Sequence, residues 1–299
     1  MAGLRYECQK TDYYESDVYK EEKSPVYHDL IPVAGIFYKE KDWSINLAYR
    51  MTKYNPGYRM LNSSIGYQSK YQYSNGNPEL KPQKQSLFSL DSGWKWINAS
   101  IHFVHVQETY ITYAKPYDDV KHPGVVLWTN ANVPDSYAYG GAIVLSPQFK
   151  WWRPQLMGSI SWFHSNARSL NIQQLYNEPL MQFSLDNSFT LPREWFLNVQ
   201  GRLSSNAKQS FGVRKTEGRV DAQLTKSFLK DHSLRVSLVA NDIFRTGKYH
   251  FYVYGDRTYN EFEQYADNQR FGIRLNYLFN ATKNKYKGKG AGESEKRRL

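Results

Sequence analysis

The last apolar stretch of the chain, NQRFGIRLNYLF over residues 268–279, constrains the fold more than any other. Phe271, Ile273, Leu275, Tyr277 and Phe279 share one parity, and Arg270, Gly272, Arg274 and Asn276 share the other. Successive side chains of a strand point to opposite faces, so this segment has one apolar and one polar face. At ~3.3 Å per residue and a tilt near ~40°, about ten such residues cross a ~25 Å apolar band. Aromatic residues at both ends of the apolar face match the interfacial girdles of a lipid-facing strand.

The same alternation recurs upstream. Residues 2–9 place Leu4, Tyr6 and Cys8 against Arg5 and Glu7. Residues 29–38 and 43–53 form a hairpin across KEKD, and 85–95 and 98–113 form another around Trp96, with Ala99, Ile101 and Phe103 outward. Residues 137–149 and 155–165 pair across KWWRP. Residues 180–190 and 195–204 pair across LPRE, with Asn187 alone breaking the apolar side. Residues 219–229 and 232–244 pair across Lys230 and Asp231. Long polar, Gly- and Pro-punctuated stretches are expected as loops at 10–28, 54–83, 114–136, 168–178, 205–218 and 245–267. The count is about twelve strands, with short turns alternating with long loops. That rhythm predicts an all-β, antiparallel up-and-down transmembrane β-barrel over residues 1–280, in the cell outer membrane with outer-membrane lipid as its first partner. A soluble β-sandwich binding module, burying the apolar parity between two sheets, is the rival fold.

Composition agrees with dispersed rather than continuous apolarity. Aromatics make up 16% of 299 residues, yet mean hydropathy is −0.70, and no run of ~18 apolar residues exists for a transmembrane helix. The net charge of +11 is partly local: seven basic and two acidic residues in 281–299 contribute +5, and that segment reads as a basic periplasmic tail. With no recognition helix, zinc pattern or RNA-binding motif beside that charge, nucleic acid is not an expected partner. Cys8 is alone, so no internal disulfide forms. MAGLRYECQK lacks the apolar core of a signal peptide, and the expectation is a chain incomplete at its N-terminus.

Four short motifs carry a family resemblance. NPELKPQ (77–83), leading into a strand, resembles an NPxLKPE element of TonB-dependent outer-membrane receptors; NDIF (241–244) resembles their late-barrel element; AGLRYE (2–7) resembles a mid-barrel opening; and YKGKGAGESEKRRL (286–299) is similar to the tail of a receptor-like outer-membrane β-barrel family of Bacteroidota-type bacteria, related to SusC-type receptors. The resemblance implies the C-terminal part of a barrel of about 22 strands. It further implies an N-terminal plug and remaining strands absent here, TonB engaged through that absent region, a surface lipoprotein as a further partner, and import of a scarce nutrient (siderophore, glycan or peptide). A stand-alone barrel of about twelve strands, acting as a channel or a membrane-embedded hydrolase, is the alternative.

Two sets of residues are candidate sites. Tyr54, Tyr58, Tyr67, Tyr71 and Tyr73 crowd one long loop and Trp128 sits in the next, all on the side expected to be extracellular. Aromatic faces with nearby amides and hydroxyls suit sugars, peptides or aromatic chelates, and equally suit packing within the loops. Arg202, Arg219, Arg235, Arg270 and Arg274 fall on the lumen-facing parity. They read as a buried ladder paired with Asp186, Asp221 and a plug, or as a lining selective for anions. His102 and His105 face opposite ways, so no shared metal is expected. His164 has no acidic or Ser partner at a recognisable spacing, and with no catalytic pattern or cofactor motif the chain reads as a non-enzyme without cofactor.

Overall fold

A computed structural model describes residues 1–229 and 232–279. Twelve antiparallel strands form one continuous wall: β1 (Ala2–Lys10), β2 (Val26–Glu40), β3 (Trp43–Tyr54), β4 (Gln83–Trp94), β5 (Ile97–Asp118), β6 (His122–Leu145), β7 (Trp152–Ser165), β8 (Leu180–Leu191), β9 (Trp195–Ser204), β10 (Glu217–Phe228), β11 (Leu234–Asn241) and β12 (Arg270–Tyr277). Each pairs with its sequence neighbours in turn, and among the described residues β1 and β12 have one neighbour each, so the wall is an open sheet. The turn at 230–231 and the tail at 281–299 lie outside the described residues.

Register explains the parity. One row runs Ile36, Leu47, Leu90, Ile101 and Gly141 across five strands, and another runs Leu156, Leu185, Gly201 and Val220 across four. Ile36, Leu47, Ile101 and Leu185 are 70%, 52%, 59% and 42% exposed, so the apolar rows are not covered by a second layer. A water-soluble sandwich would bury these rows. At the short-turn end the same face carries stacked Trp43 and Trp94 (5.6 Å) and the Phe149, Trp152 and Phe189 group. Asn187 is accommodated there because Trp152 Nε1 donates to its Oδ1 at 3.0 Å. Six residues up the strands a second belt begins, with Tyr49 against Phe88 at 4.6 Å and Tyr139 against Trp162 at 5.4 Å.

One expectation fails outright. Residues 114–136 are not a loop: β5 has 22 residues and β6 has 24, and they form a single hairpin that runs far beyond its neighbours. Its ladder is interrupted twice: where Glu108 takes φ +54° opposite Pro134, which lacks an N–H, and near the tip, where the register shifts between His122 and Val126. Above the Glu108 break the hairpin acts as a mast. The connections 55–82, 166–179, 205–216 and 242–269 fold onto it and contain short strands of their own, including Gly66–Ser69, Gln72–Ser74, Ala207–Ser210, Gly212–Arg214, Tyr249–Tyr254 and Tyr259–Gln264. The conventional core therefore sits in the loops: Ile111, Tyr113 and Val133 of the mast pack with Ala167 and Ile172, and Phe211 closes the cluster.

Two of the family-like motifs, 77–83 and 241–244, are fasteners of this assembly. In 77–83, Asn77 Nδ2 donates to the Asn130 carbonyl at 3.1 Å, and Asn132 Oδ1 accepts the Lys81 N–H at 2.9 Å, stitching the loop to the mast. Gly76 must be glycine, because a Cβ would run into the Met60 carbonyl. In 241–244, the fully buried Asp242 accepts the N–H groups of Thr246 (2.9 Å) and Gly247 (3.2 Å) and donates its own N–H to Asp221 at 2.7 Å, closing the turn after β11.

Candidate functional site

The aromatic residues singled out from sequence divide among four places. Gln72–Ser74 joins β6 as a short parallel strand, with Tyr73 beside Leu127 and Ser74 beside Trp128. Paired residues share a face and successive ones alternate, so Tyr73 and Trp128 look opposite ways from this sheet. Tyr73 meets Tyr67 at 5.9 Å and Tyr117 at 4.9 Å, and Tyr117 in turn meets His122 at 5.6 Å. Tyr71 extends this group as an exposed residue whose carbonyl accepts the Val126 N–H at 2.9 Å. Trp128 instead packs on Phe262 (5.8 Å), which stacks on Phe251 (4.7 Å), and so belongs to the joint between the last loop and the mast. Tyr54 ends β3 and its carbonyl accepts the Tyr110 hydroxyl at 2.8 Å. Tyr58 opens a four-residue helix, Tyr58–Leu61, and lines a separate cleft of about 380 Å³ with Tyr27 and Lys23.

The group with the strongest claim to a ligand surface is thus Tyr67, Tyr71 and Tyr73 with Tyr117 and His122. Tyr67 and Tyr71 are 68% and 57% exposed, and Lys70 Nζ lies 5.1 Å above the Tyr71 ring. The tip just above is tied down by Asp118, whose carboxylate accepts the N–H groups of Lys121 (2.9 Å) and Val120 (3.0 Å). That donation, Lys121 first, holds the Asp118 carboxyl below the ordinary range. Sequence reasoning missed Tyr117 and His122 because they stood in an expected loop, and Lys115 on the parity of Tyr113 and Tyr117 leaves no alternation to mark a strand there.

The five arginines lie on the polar parity of the wall. Arg202 faces Arg219 across β9 and β10, Arg235 faces Asn276, Arg274 faces Ser237 and Arg270 faces Asn241. Arg219 is half-buried and its Nε donates to Asp221 Oδ1 at 2.8 Å, while the other four are exposed. The buried ladder expected from sequence therefore reduces to one pair: Asp186 lies opposite Gln155 and Gln200, not opposite an arginine. His105 Nε2 lies 2.6 Å from Asp135 Oδ1 and the ring stacks on Tyr137 at 4.8 Å, away from His102. Among the described residues no group of three or more His, Cys, Asp or Glu side chains is placed to hold a metal ion.

The sequence model of the outer membrane protein beta-barrel family matches residues 1–277. The chain belongs to that family. No curated protein matches it. Its fold is similar to the copper transporter OprC (TM-score 0.63, 12% identity, covering 92% of this chain and 44% of that one). It is also similar to the FrpB iron transporter of Neisseria meningitidis (0.58, 14% identity, 92% and 41%) and the ferric-catecholate import receptor Fiu of E. coli K12 (0.58, 14% identity, 87% and 36%). The chain spans less than half the length of these structures. The wall is thus an outer-membrane β-barrel wall.

Proposed function

We propose that this chain is the wall and part of the extracellular surface of an outer-membrane receptor that binds a scarce nutrient outside the cell and imports it. Energy coupling belongs to a plug and a TonB-engaging segment beyond this chain, and further strands pair with the open edges of β1 and β12. The observation that carries the reading is the mast: a wall hairpin runs far beyond its neighbours and carries the exposed Tyr67 and Tyr71 beside it. Binding residues concentrate on loops held by a rigid scaffold, and tyrosine offers contact area at small cost in entropy. A cargo with flat apolar or carbohydrate faces, such as a siderophore, glycan or peptide, suits this surface. The lumen-facing Arg202, Arg235, Arg270 and Arg274 favour an anionic cargo on its way through.

The test compares a strain lacking the gene with its parent under iron, copper, glycan and peptide limitation. A growth defect under one condition, restored by the full-length gene but not by its Tyr67→Ala, Tyr71→Ala, Tyr73→Ala variant at equal surface abundance, supports the reading. Equal rescue by the triple variant places cargo binding elsewhere, and no defect under any condition removes the receptor reading.

A further inference from the structure

At the loop end of β7 to β10, where β9 finishes at Ser204 and β10 begins at Glu217, the wall carries a cleft of about 390 Å³. Its lining belongs to the polar parity. Ser159, Gln182, Ser204 and Glu217 form one register row across the four strands, and the next polar row sets Arg202 beside Arg219. Phe183, Leu203 and Gly218 make up the row between these two. Side chains alternate along a strand, so this middle row points to the other face and meets the cleft through its backbone. Arg214, from the short strand Gly212–Arg214, completes the lining from the loop side.

Two buried donors of this lining lack an acceptor. Ser204 is 7% exposed and its Oγ has no hydrogen-bond partner. Arg214 donates from a terminal nitrogen to Glu217 Oε2 at 3.0 Å, but its buried Nε has no partner. Buried polar groups are nearly always paired, so two orphaned donors in one cleft call for an acceptor that arrives from outside. The charge agrees: Arg202 is exposed and forms no ion pair among the described residues, whereas Arg219 is held by Asp221 at 2.8 Å. Three guanidinium groups thus meet two carboxylates, Glu217 and Asp221, and one positive charge is left over. We infer that this cleft binds a tetrahedral oxyanion, a phosphate or sulfate group, through Arg202, Ser204 and Arg214. Such a group offers acceptors in several directions at once, which suits donors coming from both wall and loop, and its charge strengthens each bond. A planar carboxylate offers its two oxygens in a single plane. The inference deepens the receptor reading, on which the source of the group rests: a cargo that carries phosphate or sulfate.

The full-length protein in detergent is titrated with inorganic phosphate by isothermal titration calorimetry at constant ionic strength, alone and in excess sulfate or acetate. Saturable phosphate binding is expected, competed by sulfate and not by acetate. Ser204→Ala and Arg202→Gln should each weaken it about tenfold, the loss of one hydrogen bond to a charged group. Arg153→Gln is the control: Arg153 shares the parity of Ser159 on β7 but lies near the short-turn end, and its loss should leave binding unchanged. Three results overturn the assignment: no saturable binding, acetate competing as well as sulfate, or Ser204→Ala and Arg202→Gln proteins of normal heat-modifiable mobility that bind like the parent or like Arg153→Gln. The first is also what a carboxylate from elsewhere in the full-length protein, already seated in the cleft, would produce. Growth on the limiting nutrient is read separately. Absent phosphate binding therefore leaves the receptor reading standing, and an absent growth defect leaves the anion site standing.

Discussion

Leu185→Arg is the sharpest test of which face meets lipid. Leu185 is the sixth of twelve residues in β8, between Leu156 and Gly201 in register. Five residues at ~3.3 Å, tilted by ~40°, put it about 13 Å below the extracellular end of the strand, the middle of a ~25 Å band. Arginine at the midplane of a lipid-facing strand costs about 2–4 kcal/mol, on the order of 30- to 1000-fold in the folded-to-unfolded ratio. Gln182 and Ser188 bracket it on the opposite, polar parity and are exposed there. Arginine at either should stay within about 0.5 kcal/mol, as for an ordinary surface change. The assay is reversible urea unfolding of the full-length protein in phospholipid vesicles, followed by tryptophan fluorescence. Equal losses at Leu185, Gln182 and Ser188 would refute the assignment of faces.

Three further outcomes follow from the loops and fasteners. Ile172→Ala empties the fully buried centre of the extracellular core and should cost about 2–5 kcal/mol of local stability, seen as faster hydrogen exchange over 109–134 and 167–175 with unchanged heat-modifiable mobility. Gly76→Ala should release residues 55–82 from the mast, read as a new protease-sensitive site; an intact digestion pattern would contradict the close approach to Met60. Asp242→Ala leaves the N–H groups of Thr246 and Gly247 without their acceptor and should cost about 1–3 kcal/mol, whereas Asp242→Asn, which keeps an acceptor oxygen, should cost less.

The wall was legible because lipid imposes a strict rule on each strand. Leu185, Ile273 and Ile101 had to alternate with polar neighbours, and the short turns near Trp43, Trp96 and Pro192 punctuated them. The mast was not legible for the complementary reason. Past Glu108 the hairpin outruns the rest of the wall and no longer keeps one apolar face, so Thr109, Thr112 and Lys115 erase the parity. What holds that region is long-range, such as the Thr258 hydroxyl donating to the Ala114 carbonyl 144 residues away, and local pattern carries no trace of it. For the same reason Tyr73 and Trp128 looked like one aromatic site in sequence and occupy opposite faces in the fold. Ser237 shows the limit of parity from the other side: it lies on the polar face yet is 2% exposed and shares a 2.8 Å hydrogen bond with Thr225.

Sidedness in living cells tests the central claim, that this chain crosses the outer membrane with its mast outside. Val120 at the mast tip is 89% exposed, and Lys41 lies in the exposed turn between β2 and β3 at the opposite end. With Cys8 replaced by Ser, single cysteines are introduced as Val120→Cys and Lys41→Cys in the full-length protein freed of other thiols, and intact cells are treated with a membrane-impermeant maleimide. The expected result is prompt labelling at 120 and labelling at 41 only after the outer membrane is permeabilised. Equal labelling of both positions in intact cells would contradict the membrane-spanning wall.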